Sequence, residues 1–373
     1  MRDDAVIIGA CEVGLSADYS GSCDEMVFEA VAGALRDAGL NKSDIGLSVV
    51  ASYDLFDGSA FSNSLTTPAA AGWLTNEYRL EDDSGVALIS ASAAIRSGAV
   101  DAAVVVGMHQ PPTRSNDAWN ALRFADAASA LSFGALYERP IGLTASIATA
   151  QHAARRVATS AATVEHFAEV AAAEISTGAC GPRTARAASV TAEQVLAARV
   201  VATPLTELML PAPAAGAVAI VLTSATRARM CRHPRAILRG SGVSNGGAPG
   251  GREWLVEPEA ATRRAAKAAY RQAGITDPAS AFDVAEFTAI SPAMVEPLCD
   301  SLGLRTNGVV RNPSGGARSC YPGAANGALR VVECLDWLER HGRRGSRALS
   351  HSVDNLTGPI SATSTVHVLE RFS

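Results

Sequence analysis

The chain has 373 residues, 48% of them hydrophobic and 18% charged, so it can bury a large core and is long enough for two domains of roughly 150 residues each. Its 37 acidic and 32 basic residues leave a net charge of −5, and no dense basic run is interleaved with aromatics, which argues against a nucleic-acid surface. No apolar stretch reaches the ~18 residues of a membrane span: the longest, 210–222, carries Pro211 and Pro213, while Asp3, Asp4 and the short apolar run 5–8 do not make a signal peptide.

In chain order, the first expected strand is 4–10 (DAVIIGA), followed by a polar loop and an amphipathic helix from residue 23 or 24 to about 38, stopped by Gly39. A strand over 47–52 comes next, then a small-residue helix over 86–97 ended by Gly98. Residues 101–107 (DAAVVVG) form the continuous apolar run of a strand covered on both faces. The region of about 110–211 is alanine-rich and mostly helical (144–158, 163–176, 192–198), an insertion closed by the apolar strand 216–224. Insertions of this length between core strands commonly shape a substrate pocket. The second half repeats the first. ALRDAGL at 34–40 recurs as AYRQAGI at 269–275, each copy ending a helix at glycine before a polar turn and an apolar strand, over 45–51 and 282–287. A strand over 235–240 precedes the second copy. A glycine-rich stretch (312–327), a helix (327–340) and a strand (347–352) follow it.

The seven cysteines (11, 23, 180, 231, 299, 320, 334) form no CxxC pair, which fits reduced thiols in a cytoplasmic protein, and the seven histidines show no metal-binding spacing, so no metal is expected. Of the basic residues only Lys42 and Lys267 are lysines, both in solvent-facing contexts, so a Schiff-base mechanism is not expected. In a parallel α/β unit the chemistry belongs at strand carboxyl ends and helix N-termini. Two segments fall there: 80–86 (LEDDSGV) and 311–327 (RNPSGGARSCYPGAANG).

The VIIGA strand, the repeated halves, AIRSG before DAAVVVG, PAPAAGAVAIVL at 211–222, and NPSGG followed by YPGAANG together resemble the thiolase superfamily, most closely its sterol-carrier-protein-x-like, lipid-transfer-protein branch. The resemblance runs over essentially the whole chain. It implies a duplicated α/β thiolase fold with two β-α-β-α-β-α-β-β halves in five layers, α-β-α-β-α. The halves are expected over 1–228 and 229–373, with the helical insertion at about 110–211 in the first.

The departures define the expected chemistry. The position of the family's nucleophilic cysteine, counted back from Gly98, falls on Glu81, and no cysteine lies between Cys23 and Cys180. The histidine of the family's GHPxGATG motif aligns with Tyr321. A third polar element aligns with Thr288, Ala289, Ile290 and Ser291, and the late glycine-rich loop reads DNLTGP at 354–359. Tyr321 with Asn326 is similar to the thiolase-like aldolases that cleave the side chain of steroid acyl-CoAs and also lack the cysteine, although a second tyrosine of those enzymes stands where this chain has Thr288. A retro-aldol reaction needs a base for the β-hydroxyl and a donor near the thioester oxygen, and no acyl-enzyme. The resemblance therefore implies an acyl-CoA or other acyl thioester as substrate, no covalently bound cofactor, a homodimer, and a small OB-fold, zinc-ribbon partner protein.

Tyr321 is the favoured acid-base group. Cys320, His351, Asp83 and Ser84 are further catalytic candidates, Gly315, Gly316, Thr357 and Gly358 candidate backbone donors, and Asn312, Asn326, Asp354 and Asn355 candidate substrate contacts. Structural roles compete for most of these. Asp82, Asp83 and Ser84 suit a helix cap, Cys320 a small buried hydrophobe, His351 a satisfied strand-end position, and the two glycines a tight loop. Arg155, Arg156, Arg183 and Arg186 stand between contacts to coenzyme A phosphates and ordinary solvation. A catalytically silent scaffold subunit of a biosynthetic complex, or an acyltransferase with Cys320 or Ser84 as a relocated nucleophile, are the alternative functions.

Overall fold

The computed structural model describes residues 4–17, 19, 21–54, 67–110, 118–186, 188–246, 255–304, 308–354 and 363–372. Ten strands form one hydrogen-bonded sheet. In the first half these are β1 (Ala5–Ser16), β2 (Leu47–Ala51), β3 (Asn76–Leu80), β4 (Ala102–His109) and β5 (Ala215–Ser224). In the second they are β6 (Ala236–Asn245), β7 (Val284–Phe287), β8 (Val310–Arg311), β9 (Arg347–Val353) and β10 (Thr363–Arg371). Their order is β8-β7-β9-β10-β6-β1-β5-β4-β2-β3, so each half has the same internal order and the two meet at β1 and β6. The pairing senses repeat as well. β2 is parallel to β3 and β4, β7 is parallel to β8 and β9, and the remaining ladders are antiparallel. The junction is short, pairing only Val6 with Ile237 and Ile7 with Ala236.

Helices complete five layers. α1 (Cys23–Ala38) covers one outer face through Met26, Val27, Ala30 and Ala34, which pack on Val6, Ile8, Val104 and Val106. α2 (Ser84–Arg96) lies on the other face of that half-sheet, against Ala103 and Val105, the alternate residues of the same strand. The insertion supplies α3 (Ala118–Ser129), α4 (Ala145–Ala158), α5 (Val164–Ala179) and α6 (Ala192–Ala197). In the second half, α7 (Ala260–Ala273) and α8 (Val295–Leu302) cover the outer face, and α9 (Asn326–His341) joins α2 in the central layer. The second half thus runs β-α-β-α-β-α-β-β. No helix among the described residues is long and apolar enough to cross a membrane.

The sequence repeat has a direct structural expression. Gly39 and Gly274 each close their helix in the left-handed conformation that glycine adopts without strain. In both halves a helix also crosses its strand at a glycine. A Cβ at Gly9 would lie 2.4 Å from the Ala34 carbonyl oxygen, and one at Gly240 would lie 2.2 Å from that of Ala269. Ala34 and Ala269 are equivalent positions of the repeated motif, so the same contact fixes both outer helices. Backbone atoms cannot yield as a flexible side chain does. Gly9→Ala and Gly240→Ala are each expected to lower the unfolding free energy by about 1–3 kcal/mol. Urea titration of both variants checks this, and an unchanged midpoint in either would disprove close packing in that half.

Candidate active site

The central helices α2 and α9 begin side by side, and their first turns are tied together. Asp83 is the N-cap of α2, its Oδ1 accepting from Gly85 N at 2.7 Å. Its Oδ2 accepts from Gly327 N in the first turn of α9 at 3.0 Å, and Ser84 Oγ accepts from Ala328 N at 2.8 Å. Ser352 at the end of β9 donates to Asp83 Oδ1 at 2.7 Å. Burial pushes the Asp83 carboxyl up to about 7, against the pull of the Ser352 and Gly85 donors. The neighbouring Asp82 is raised to about 6, first by burial and then by the charge of Asp354.

The 311–321 segment runs as a strap across this junction, and a buried polar network holds it. Asn312, with positive φ, accepts from Phe287 N at 2.8 Å and donates to Glu174 on α5 at 3.1 Å. Ser314 bonds Glu286 through both its amide and its hydroxyl, at 2.9 and 2.8 Å. Arg318, fully buried, pairs with Glu174 and donates to the Ala289 carbonyl. Arg330 of α9, also fully buried, pairs with Glu333 at 2.9 Å and donates to the Cys320 carbonyl at 3.0 Å. Glu286 lies with it in the interior, its carboxyl raised by burial and by Glu333 and lowered by Arg330. The strap's own side chains thus serve as anchors.

At the strap's end, successive residues point opposite ways. Cys320 packs into the central apolar layer, where burial raises its thiol to about 12, the setting of a small buried hydrophobe and not of an activated thiol. Tyr321 turns instead into a small cluster with Tyr53, Ala317 and Ala324, bordered by Phe124, Ala125 and Ala128 of α3. Its hydroxyl donates to the Val353 carbonyl at 3.4 Å. Tyr53, in the turn after β2, is hydrogen-bonded to Asp354, the residue after Val353. The two phenols, from opposite halves of the chain, therefore reach consecutive residues at the end of β9.

The other sequence candidates are placed differently. Glu81, where the missing cysteine would fall by counting, is a surface residue paired with Arg79 at 3.3 Å. Ser84 is buried, its oxygen engaged with Ala328. Gly315 and Gly316 were expected to offer backbone donors, but their amides bond Asn312 O and Ser314 Oγ. Gly315 is needed because a Cβ there would meet the Glu174 carbonyl oxygen of α5 at 2.5 Å. Asn312 is committed to the strap. Asn326, fully buried, donates to Thr288 Oγ1 at 2.9 Å while its Oδ1 has no hydrogen-bond partner among the described residues. Asn355, Thr357 and Gly358 lie outside the described residues. Arg183 pairs with Glu12 and Asp336, and Arg186 is spent on backbone carbonyls including those of Leu210 and Arg318. Arg155 and Arg156, at the end of α4, line a cleft of about 340 Å³ with His152 and Arg263. Sequence reasoning missed Tyr53, Phe124 and the buried ion network. For the network a signal existed, since Glu286 interrupts an otherwise apolar strand.

His351 is turned toward α7 and away from the phenols. Its Nε2 contacts Thr262 Oγ1 at 3.0 Å and Ser364 Oγ at 3.2 Å, and burial lowers its pKa to about 3, which keeps the ring neutral. A folded-state value below the ordinary 6.5 means that neutral His351 stabilises the fold above pH 6.5, and that this contribution is lost as the pH falls toward 3. The stability gap between the wild type and His351→Asn is expected to narrow by about 1.4 kcal/mol per pH unit below 6.5. Denaturant titrations at pH 7, 5.5 and 4.5 measure it, and a pH-independent gap would contradict the burial.

No protein-family model and no curated protein matches this sequence. Solved structures do match. The Ltp2-ChsH2(DUF35) aldolase shares 20% identity at a TM-score of 0.79, covering 99% of this chain and 98% of that one. A monomeric SCP2-thiolase-like protein type 1 from Mycobacterium smegmatis shares 17% identity at a TM-score of 0.72, covering 98% of this chain and 77% of that one. The fold is thiolase-like, as the sequence motifs imply.

Proposed function

We propose that this protein makes or breaks a carbon–carbon bond of an acyl-CoA, or another acyl thioester, by aldol or retro-aldol chemistry without an acyl-enzyme. The single observation that carries the reading is Tyr321, a phenol held by a buried strap at the meeting point of α2 and α9, within a small apolar cluster. A phenol there can give or take a proton but is a poor acyl carrier. Both relocated-nucleophile candidates are engaged in packing, Cys320 as a deeply buried thiol and Ser84 as a helix clasp, which disfavours an acyltransferase.

The reaction asks for a base at a β-hydroxyl and a donor at the incipient enolate, and Tyr321 meets the second demand without a metal ligand set or a lysine. Arg155 and Arg156 are the proposed cations for the phosphates of coenzyme A. They stand about 16 Å along α4 from the end of that helix nearer α3. The name of the Ltp2-ChsH2(DUF35) aldolase couples two proteins, which supports a partnered state. We propose a small OB-fold, zinc-ribbon protein as that partner, alongside a second copy of this chain. None of the seven cysteines, all of them among the described residues, is joined in a disulfide, in keeping with a cytoplasmic site of action.

The test is to assay the chain, alone and with an OB-fold partner, for release of a shortened acyl-CoA from β-hydroxyacyl-CoA thioesters. Tyr321→Phe is expected to lower kcat by at least about 100-fold, the scale of a lost general acid, while intact-mass spectra show no acyl adduct on either protein. An unchanged rate in the variant, or an adduct on the wild type, would refute the reading.

A further inference from the structure

The half-sheets are joined only by the pairs Val6–Ile237 and Ile7–Ala236, and beyond them β1 and the segment 232–235 that leads into β6 part company. The gap opens into a cleft of about 940 Å³. Its walls come from β1 and α1 of the first half, Arg183 of the insertion, and α9 with Arg371 and Phe372 of the second. That volume lies at the upper end of what small-molecule sites use. The cleft is separate from the Tyr321 cluster, since Asp336 on its wall stands about 15 Å along α9 from Asn326.

Five arginines and four carboxylates line the cleft, and the arginines fall into two sets. Arg183 and Arg235, both largely buried, engage all four carboxylates. Arg183 pairs with Glu12 and Asp336 at 2.7 Å each, and Arg235 pairs with Asp336 at 3.0 Å, Asp37 at 3.7 Å and Glu339. Arg371 donates to the Gly342 carbonyl. Arg36 and Arg232 have no carboxylate within ion-pair distance among the described residues. Arg36, in the last turn of α1, is not simply spread into solvent. Its Nη2 lies 3.8 Å from where a Gly33 Cβ would stand, a point that Cys11 Sγ already overlaps, so the guanidinium folds back over Gly33 and its charge acts on the Cys11 thiol. Pro234, Val332 and Phe372 supply an apolar wall.

We propose that this cleft binds a phosphate or pyrophosphate group carried on an organic molecule of about nucleotide size. A guanidinium offers an oxyanion two parallel N–H donors, and Arg36 and Arg232 bring two such groups that no carboxylate has claimed. The four carboxylates do not repel the ligand as free charges would, because Arg183 or Arg235 already neutralises each. A bare phosphate fills little of the volume, and the apolar wall gives the uncharged remainder of a larger ligand a surface to cover. Since both halves and the insertion contribute walls, the bound molecule ties them together and stabilises the fold. The proposal does not depend on the aldol reading, and the cleft at the end of α4 is a different site.

The full chain is titrated by calorimetry with ADP and inorganic pyrophosphate, with adenosine as the phosphate-free control. ADP is expected to bind and to raise the melting temperature, pyrophosphate to bind more weakly, and adenosine not to bind. Arg36→Gln and Arg232→Gln change exposed side chains and are each expected to weaken ADP binding by about tenfold or more. Thermal melts confirm folding, and either variant suffices if the other does not fold. Alkylation of Cys11, followed by peptide mass spectrometry, locates the ligand. Saturating ADP is expected to slow labelling of Cys11 but not of Cys23 at the opposite end of α1, and to do so equally in an Arg155→Gln, Arg156→Gln double variant. A wild type that binds neither ADP nor pyrophosphate at millimolar concentration overturns the proposal. So does an affinity within twofold of wild type in both cleft variants, adenosine binding as tightly as ADP, or unprotected Cys11, which would place the ADP elsewhere. Pyrophosphate binding as tightly as ADP would overturn the assignment of ligand size.

Discussion

The architecture of the site depends on one clasp. Two central helices begin at the same place, and the positive ends of their dipoles would repel across that junction. Asp83 answers the problem with a single carboxylate that caps α2 and accepts from the first turn of α9, and Ser84 adds a second bond in the same direction. The halves meet directly in the sheet through only two residue pairs, so this clasp and the apolar packing of α2 on α9 carry much of their registration. The raised pKa of Asp83 reflects burial opposed by its donors. Its geometry is that of a cap shared by two helices, which explains why a carboxylate is tolerated in the central layer.

The strap from Asn312 to Tyr321 is the second constraint, and it works through buried charge. Arg318 and Arg330 are among the largest side chains wholly removed from solvent. Removing either partner of such a pair leaves an uncompensated charge in a medium that solvates it poorly, a far larger penalty than the pair's net contribution. The network therefore discriminates against misplaced strap conformations more than it stabilises the correct one. Its consequence is positional. With Asn312, Ser314, Arg318 and the Cys320 carbonyl all fixed, the direction of Tyr321 follows.

Much of the fold was legible because it is written twice. The ALRDAG and AYRQAG helices, the glycine stops and the apolar runs located both outer helices and most central strands. The elements missed have physical reasons. β3 (NEYRL) is an edge strand with three exposed residues and only Tyr78 and Leu80 to mark its apolar face, and α3 and α8 are short amphipathic pieces whose partners lie far away in sequence. The site was less legible. Asp83, Ser84, Asn312 and Gly315 carry the residue types of a reactive centre but are consumed in clasp and strap, and composition cannot tell a hydroxyl that caps a helix from one that meets a substrate. Tyr53 stands in a polar turn without motif or periodicity. Only the tertiary fold brings it beside Tyr321.

The clasp also bears on the kind of chemistry proposed for the site. At the start of α9, the amides of Asn326, Gly327 and Ala328 are bonded to Gly323 O, Asp83 and Ser84, and at α2 those of Gly85 and Val86 both go to Asp83. Backbone donors that elsewhere make a ready oxyanion hole are here already satisfied. An enolate forming at this junction would find no unspent amide among them, and a nearby carboxylate would oppose it. What is left is a side chain that brings its own proton. A phenol does so near neutral pH without first becoming an anion, and it can neutralise the developing charge by transfer instead of solvating it. On the proposed reading, a hydroxyl in place of an amide as the stabilising group, more than the absence of a reactive thiol, would separate this site from one built for acyl transfer.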